Sequence, residues 1–337
     1  MRRAVAAAIA ALVASRAHAD HAAPAAPAAP SAAAPAAIQL AAIAPADDAR
    51  RAIVIGRGGE VYEPDGKGSW VHRLASATAD PIVTAGLAGG AVVALGDGVI
   101  YRLAANGWSA IRLVQHGKAI LSGGTRSLAA VGRQLFALEP LGRGEPTRLA
   151  QAPAAIVAIG AGSGTGGAVV ATEAGMFRLT GSRLVALRAA PGRARLVSDR
   201  WAIVDRGAVD LTTGKLTAWP AGLAIGAAAA GPGDALVAIG TASAGLELVT
   251  LAAGKLARDP LGIAGTAVGV VVDRAGRAVV ALSDGRIAVR DRTGWTTTAV
   301  TEAVPNAVPK AVPNAVPNAV TDAPGAAHPG PGPATSN

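Results

Sequence analysis

Residues 81–114, PIVTAGLAGGAVVALGDGVIYRLAANGWSAIRLV, hold four short apolar runs separated by turn signals. The first run, Pro81 to Leu87, stops at Ala88-Gly89-Gly90, and the second, Ala91 to Leu95, stops at Gly96-Asp97-Gly98. Val99 to Leu103 alternates out to Asn106-Gly107, and Trp108 to Leu113 completes the set. Asp-Gly and Asn-Gly supply the positive φ that tight hairpins need, so the segment predicts an antiparallel up-and-down sheet of four strands.

The same grammar recurs along the chain. Val54, Val93, Ala129, Val170, Ile203, Val237 and Val280 each sit in a short apolar run, at spacings of 39, 36, 41, 33, 34 and 43 residues. The last unit follows the plan closely: Ala267 to Val272, Ala278 to Leu282, Arg286 to Val289 and Trp295 to Val300, with Asp284-Gly285 and Thr293-Gly294 at turns. In the first unit, residues 38–44 (IQLAAIA) supply the innermost strand. Seven four-stranded units of about 40 residues predict an all-β fold, a seven-bladed β-propeller of four-stranded antiparallel blades over residues 37–300. Inner strands crowd the axis of such a ring, and the runs Ala119 to Gly124 and Ala224 to Gly231 are accordingly small. The complete phasing of every unit predicts that no strand is exchanged between the ends to close the ring.

The body of the chain resembles the broad propeller group that holds the WD40, YVTN and quinoprotein-like repeats. No Trp-Asp dipeptide marks the strand ends. Residues 208–219 (AVDLTTGKLTAW) resemble the quinoprotein tryptophan-docking motif at Ala208, Asp210, Thr213, Gly214, Lys215 and Trp219, with one extra residue before the tryptophan. Asp65-Gly66-Lys67-Gly68-Ser69-Trp70 resembles the Asp-box of sialidase-like propellers, with its glycine displaced. Both motifs are turn devices in their families, so the likeness implies fold and not quinone or sugar chemistry.

Composition bounds the rest. The 337 residues are 51% hydrophobic but only 3% aromatic and 16% charged, with 43 Gly, 22 Pro and no Cys. Absence of cysteine excludes disulfides, thiol catalysis and thiolate metal sites. Residues 1–19 read as a secretory signal peptide: Arg2 and Arg3 are basic, residues 4–14 (AVAAAIAALVA) apolar, and Ala17-His18-Ala19 a small-residue cleavage site. Eleven apolar residues fall short of the roughly 20 that span a bilayer, so no stable membrane insertion is expected after cleavage. Cleavage would remove three of 31 basic residues, leaving 28 against 22 acidic, so the formal charge falls from +9 to +6. Residues 20–36 form an Ala/Pro spacer, and 301–337 a proline-rich tail in which A-V-P-N recurs. The expected location is periplasmic or extracellular.

Candidate chemistry is sparse. Gly160 to Gly167 has nucleotide-loop spacing, but Ala168-Val169-Val170-Ala171 continues as a strand, so a hairpin is expected. His72 and His116 are isolated, His72 reads as a packed strand residue, and no pair has metal-ligand spacing; no metal or cofactor is called for. Turns between second and third strands share a face with the inter-blade connections, where ligands often bind; Asp97, Glu173, Asp205 and Asp284 fall there, with Arg57 and Arg133. Asp before Gly is also what a tight turn prefers. Residues 183–206 are arginine-rich, and Arg188, Arg193, Arg195 and Arg200 are candidates for an anion or partner patch near the fourth and fifth units. Aromatic interleaving for nucleic acid is missing. The expectation is a monomeric, non-catalytic binding or scaffold propeller of the bacterial envelope with a protein or glycan partner. The alternative is a hydrolase or lyase acting on a small ester, lactone or glycan through the acidic mouth.

Overall fold

The computed structural model describes residues 38–45, 51–74, 78–88, 90–97, 99–111, 119–122, 128–138, 146–161, 167–187, 194–273 and 275–300. The signal segment, both tails, His116, Arg188 and Arg193 lie outside the described residues.

Seven antiparallel sheets of four strands each follow one another along the chain, and within each sheet the strands lie in sequence order. This is the seven-bladed propeller that the repeat predicts. The second strands carry the periodic anchors: Ala52–Gly56, Ala91–Leu95, Leu128–Val131, Val169–Thr172, Trp201–Val204, Leu236–Ala242 and Ala278–Leu282. They are covered by neighbouring strands in the sheet and by the adjoining blades on both faces. Val54, Val93, Ala129, Val170 and Val280 are therefore fully buried, which gives continuous apolar runs rather than alternation. Outermost strands face water and read differently, as in Trp295–Ala299 (WTTTA).

Apolar clusters lie between blades rather than within them. One joins the sixth and seventh blades through Ile239, Leu246, Val270 and Val280. Another closes the ring, placing Ile43, Val54, Tyr62 and Trp70 of the first blade against Val271, Ala281 and Ile287 of the seventh. Closure therefore rests on side-chain packing, with no exchanged strand among the described residues; Thr298 Oγ1 donating 3.2 Å to Gly68 O adds a tie at the periphery.

Turn devices match their expected roles. The Asp65 carboxylate accepts from the amides of Lys67 (2.7 Å) and Ser69 (3.0 Å), and Trp70 beyond it is buried. Asp210 accepts from Thr212 N at 2.9 Å in the same way, and Asp291 from Thr293 N at 2.7 Å. All three close hairpins between third and fourth strands. Ile156–Gly160 and Val169–Thr172 pair antiparallel from Gly160 opposite Val169, as a hairpin requires; residues 162–166 between them lie outside the described residues. His72 is a packed strand residue, stacked on Tyr62 with ring centroids 5.1 Å apart.

Inner strands approach one another closely. A Cβ added at Gly160 would lie 2.3 Å from the backbone oxygen of Ser198, in the first hairpin turn of the next blade, where nothing yields without moving the backbone. At Gly226 the nearest atoms would be 3.6 Å away, an ordinary contact. Gly160→Ala is thus expected to cost about 2 kcal/mol, or roughly 4–8 °C in Tm, while Gly226→Ala stays within about 0.5 kcal/mol. Paired thermal melts check this; equal melting temperatures would refute the account of blade contact.

Candidate functional site

Each sheet has its first strand at one end of the strand order, hydrogen-bonded to a single neighbour. The inner edges of these strands surround a channel of about 290 Å³, lined by the first, second, third, fifth, sixth and seventh blades. Consecutive residues line it, such as Gly226 to Ala230 and Val268 to Val272, rather than alternate ones. Side chains of a strand alternate between faces; the channel therefore meets strand edges, with backbone N–H and C=O groups exposed between small side chains.

Four inner strands carry a register shift of one residue at comparable positions, placing an extra residue at Ala41, Val157, Gly226 and Val268. Such bulges disrupt the ladder and leave backbone groups seeking partners. At Gly226 the partner is Arg195, on the short inner strand Arg195–Leu196 of the fifth blade. Its Nη1 donates to Gly226 O and its Nη2 to Ile225 O, both at 2.9 Å. Arg195 is the one charged side chain that lines the channel among the described residues.

Arg200 lies at the other end of the same hairpin and ties the fifth blade to the sixth. Its Nη2 is 3.0 Å from Asp210 Oδ2 and its Nη1 is 3.2 Å from Asp234 Oδ2. The guanidinium also stands 5.3 Å from the centre of the Trp201 ring, and the indole N–H of Trp201 donates to Asp234 O at 2.8 Å. Asp234 adopts φ +59°, a costly conformation for a residue other than glycine, and these ties hold it there. Arg195 and Arg200 therefore both tie the fifth blade to the sixth, Arg195 through backbone carbonyls and Arg200 through carboxylates.

The acidic candidates sit on the connection face as the topology requires, but in the second, fourth, fifth and seventh blades. Asp97, Glu173, Asp205 and Asp284 are all exposed. No three His, Cys, Asp or Glu residues gather into a metal-holding group among the described residues. Asp284 is engaged by Arg286 at 2.6 Å, and that guanidinium holds its carboxyl below the usual aspartate value of 3.8. Exposed Arg57, Arg133 and Arg206 stand in the same set of turns. These turns also fasten the connections: Arg57 O accepts from Ile82 N, Arg133 Nε donates to Ala152 O, and Arg206 O accepts from Trp219 N. Sequence reasoning missed the distinct place of Arg195 because a two-residue inner strand has no periodicity, and a bulge has no residue signature.

No protein-family model matches the chain, and no curated protein matches it in sequence. Solved structures do. The WD40 β-propeller domain of Doa1 superposes with a TM-score of 0.55 at 14% identity, over 76% of this chain and 94% of that one. A streptogramin B lyase gives 0.58 at 13% identity, covering 78% and 94%. YCF48 from Cyanidioschyzon merolae gives 0.52 at 15% identity, covering 79% and 97%. At these identities the likeness is one of fold, shared by WD40 and lyase propellers alike. No helix among the described residues is long and apolar enough to cross a membrane.

The Arg200 junction is testable through pH. Burial would raise the Asp210 pKa, but the Thr212 amide and the Arg200 guanidinium outweigh it, and the net shift is downward from 3.8. A depressed carboxyl stabilises the fold above its unfolded pKa and loses that contribution as pH falls through the folded value. Asp210→Asn is expected to lose about 1–2 kcal/mol at neutral pH. The gap to wild type should hold down to about pH 4 and close below it; a gap independent of pH would contradict the ion pair.

Proposed function

We propose that this chain is a non-catalytic binding or scaffold propeller of the bacterial envelope that engages a protein or glycan partner through its inter-blade connection face. The observation that carries the reading is the charge pattern of that face. Acids in four blades alternate with exposed Arg57, Arg133 and Arg206 around the mouth of a channel walled by small residues. A polar, mixed-charge rim suits oriented docking, whereas acid–base chemistry needs groups within hydrogen-bond reach of one substrate atom. Export is supported by the basic, apolar and small-residue succession of residues 1–19. After cleavage, the Ala/Pro spacer and the A-V-P-N tail would separate the ring from whatever lies beside it.

The test uses the full chain expressed with its leader in a bacterial host. Mature protein recovered from the periplasm should begin at Asp20. Envelope proteins or glycans retained by the wild type should be lost from an Arg57→Glu, Arg133→Glu, Arg206→Glu variant of unchanged Tm. Turnover of a lactone or glycan that disappears in Asp97→Asn or Asp284→Asn would overturn the non-catalytic reading in favour of the hydrolase or lyase.

A further inference from the structure

Among the described residues, the cation in the channel has no paired carboxylate. Arg195 spends two N–H groups on the carbonyls of Ile225 and Gly226, which leaves three of the five that a guanidinium carries. Carbonyl dipoles fix the plane of the group without cancelling its unit charge, and no carboxylate among the described residues pairs with it within 4.0 Å. The result is a pre-oriented, solvent-exposed fork facing a half-open space of about 290 Å³, near the lower end of small-molecule sites at about 300 Å³.

The wall narrows the ligand class. A free strand edge presents N–H and C=O groups in alternation. A hydroxyl both donates and accepts, so it suits such an edge at any position. A multiply charged anion suits it poorly, because oxygens beyond those held by one guanidinium would meet carbonyls. A single planar carboxylate matches the fork.

We propose that the channel is a binding site for a small hydroxylated monocarboxylate, a hydroxy acid or sugar acid. Its carboxylate takes the free N–H groups of Arg195, and its hydroxyls take the inner-strand edges, beside Thr84, a residue that lines the same channel. This goes beyond the docking face: it names a ligand for a different part of the ring and stands or falls separately.

Calorimetric titration of the mature chain tests it with three probes: D-glucuronate, D-glucose as the neutral counterpart of the same shape, and inorganic phosphate. Glucuronate should bind saturably, and glucose and phosphate at least tenfold more weakly. Arg195→Gln, which still donates to the bulge carbonyl but lacks the charge, should weaken glucuronate by roughly tenfold or more. Gly226→Leu keeps the charge and adds a bulky side chain at a channel-lining position, and should weaken binding likewise. The Arg57, Arg133, Arg206 variant should bind as the wild type does, so that failure of the docking face and failure of the channel site are told apart. Absence of saturable glucuronate binding up to about 10 mM, equal binding of glucose or phosphate, or unchanged binding in Arg195→Gln would each overturn the proposal.

Discussion

Everything in this ring depends on how closely neighbouring inner strands approach the axis. Where Gly160 faces the Ser198 carbonyl, or Gly269 faces Ile43, a single added carbon would lie 2.3 or 2.5 Å from its neighbour. Small residues at the centre are therefore a steric condition of closure. That condition propagates outward into the composition. Many of the largest fully buried side chains lie further out, on the second and third strands where adjacent blades meet, as with Ile239, Leu246 and Leu282. A chain built this way needs few aromatic residues. It compensates with seven similar inter-blade clusters, each a modest gain of about 25 cal/mol per Å² of buried apolar surface, in place of one large core.

The same closeness shapes the site. An innermost strand has no partner on its inner edge, so the ring ends at its centre in exposed backbone, held apart by alanine and glycine. Bulges at four inner strands add further unpaired groups on that edge. Among the described residues, the bulge at Gly226 alone receives a guanidinium, from the blade before it. Arg195 is thus at once a tie between the fifth and sixth blades and, among those residues, the one fixed charge of the channel. Arg200 repeats the tie at the turn of the same hairpin with a different chemistry, a carboxylate pair and a tryptophan.

How legible each part was follows from what surrounds it. Second strands are covered on both faces, so their residues are apolar without interruption, and the bounds Ala91–Leu95 and Ala278–Leu282 could be read directly. Hairpins were legible because their geometry demands particular residues, as at Asn106-Gly107 and Asp284-Gly285. Inner strands were readable as small, but their ends drifted: the run from Pro81 begins as a strand only at Thr84, because Ile82 is instead hydrogen-bonded to the Arg57 turn of the preceding blade. That contact is long-range and has no local trace. The position of Arg195 was illegible for the same reason, since its partners lie thirty residues on in another blade.

The carboxylates of this chain give the strongest physical ground for reading it as a binder. A general acid working near neutral pH needs a pKa raised toward that pH, usually by burial or by a neighbouring like charge. Asp210, Asp284 and Asp291 move the other way. Backbone amides and the hydroxyl of Thr293 pull Asp291 down, Arg286 pulls down Asp284, and amides with Arg200 outweigh burial at Asp210. Each of these groups is spent on holding a turn or a guanidinium, so protonating it would loosen the hairpin it closes. These three carboxylates are thus held ionised by their turns and guanidinium partners, an arrangement suited to holding structure rather than to moving a proton.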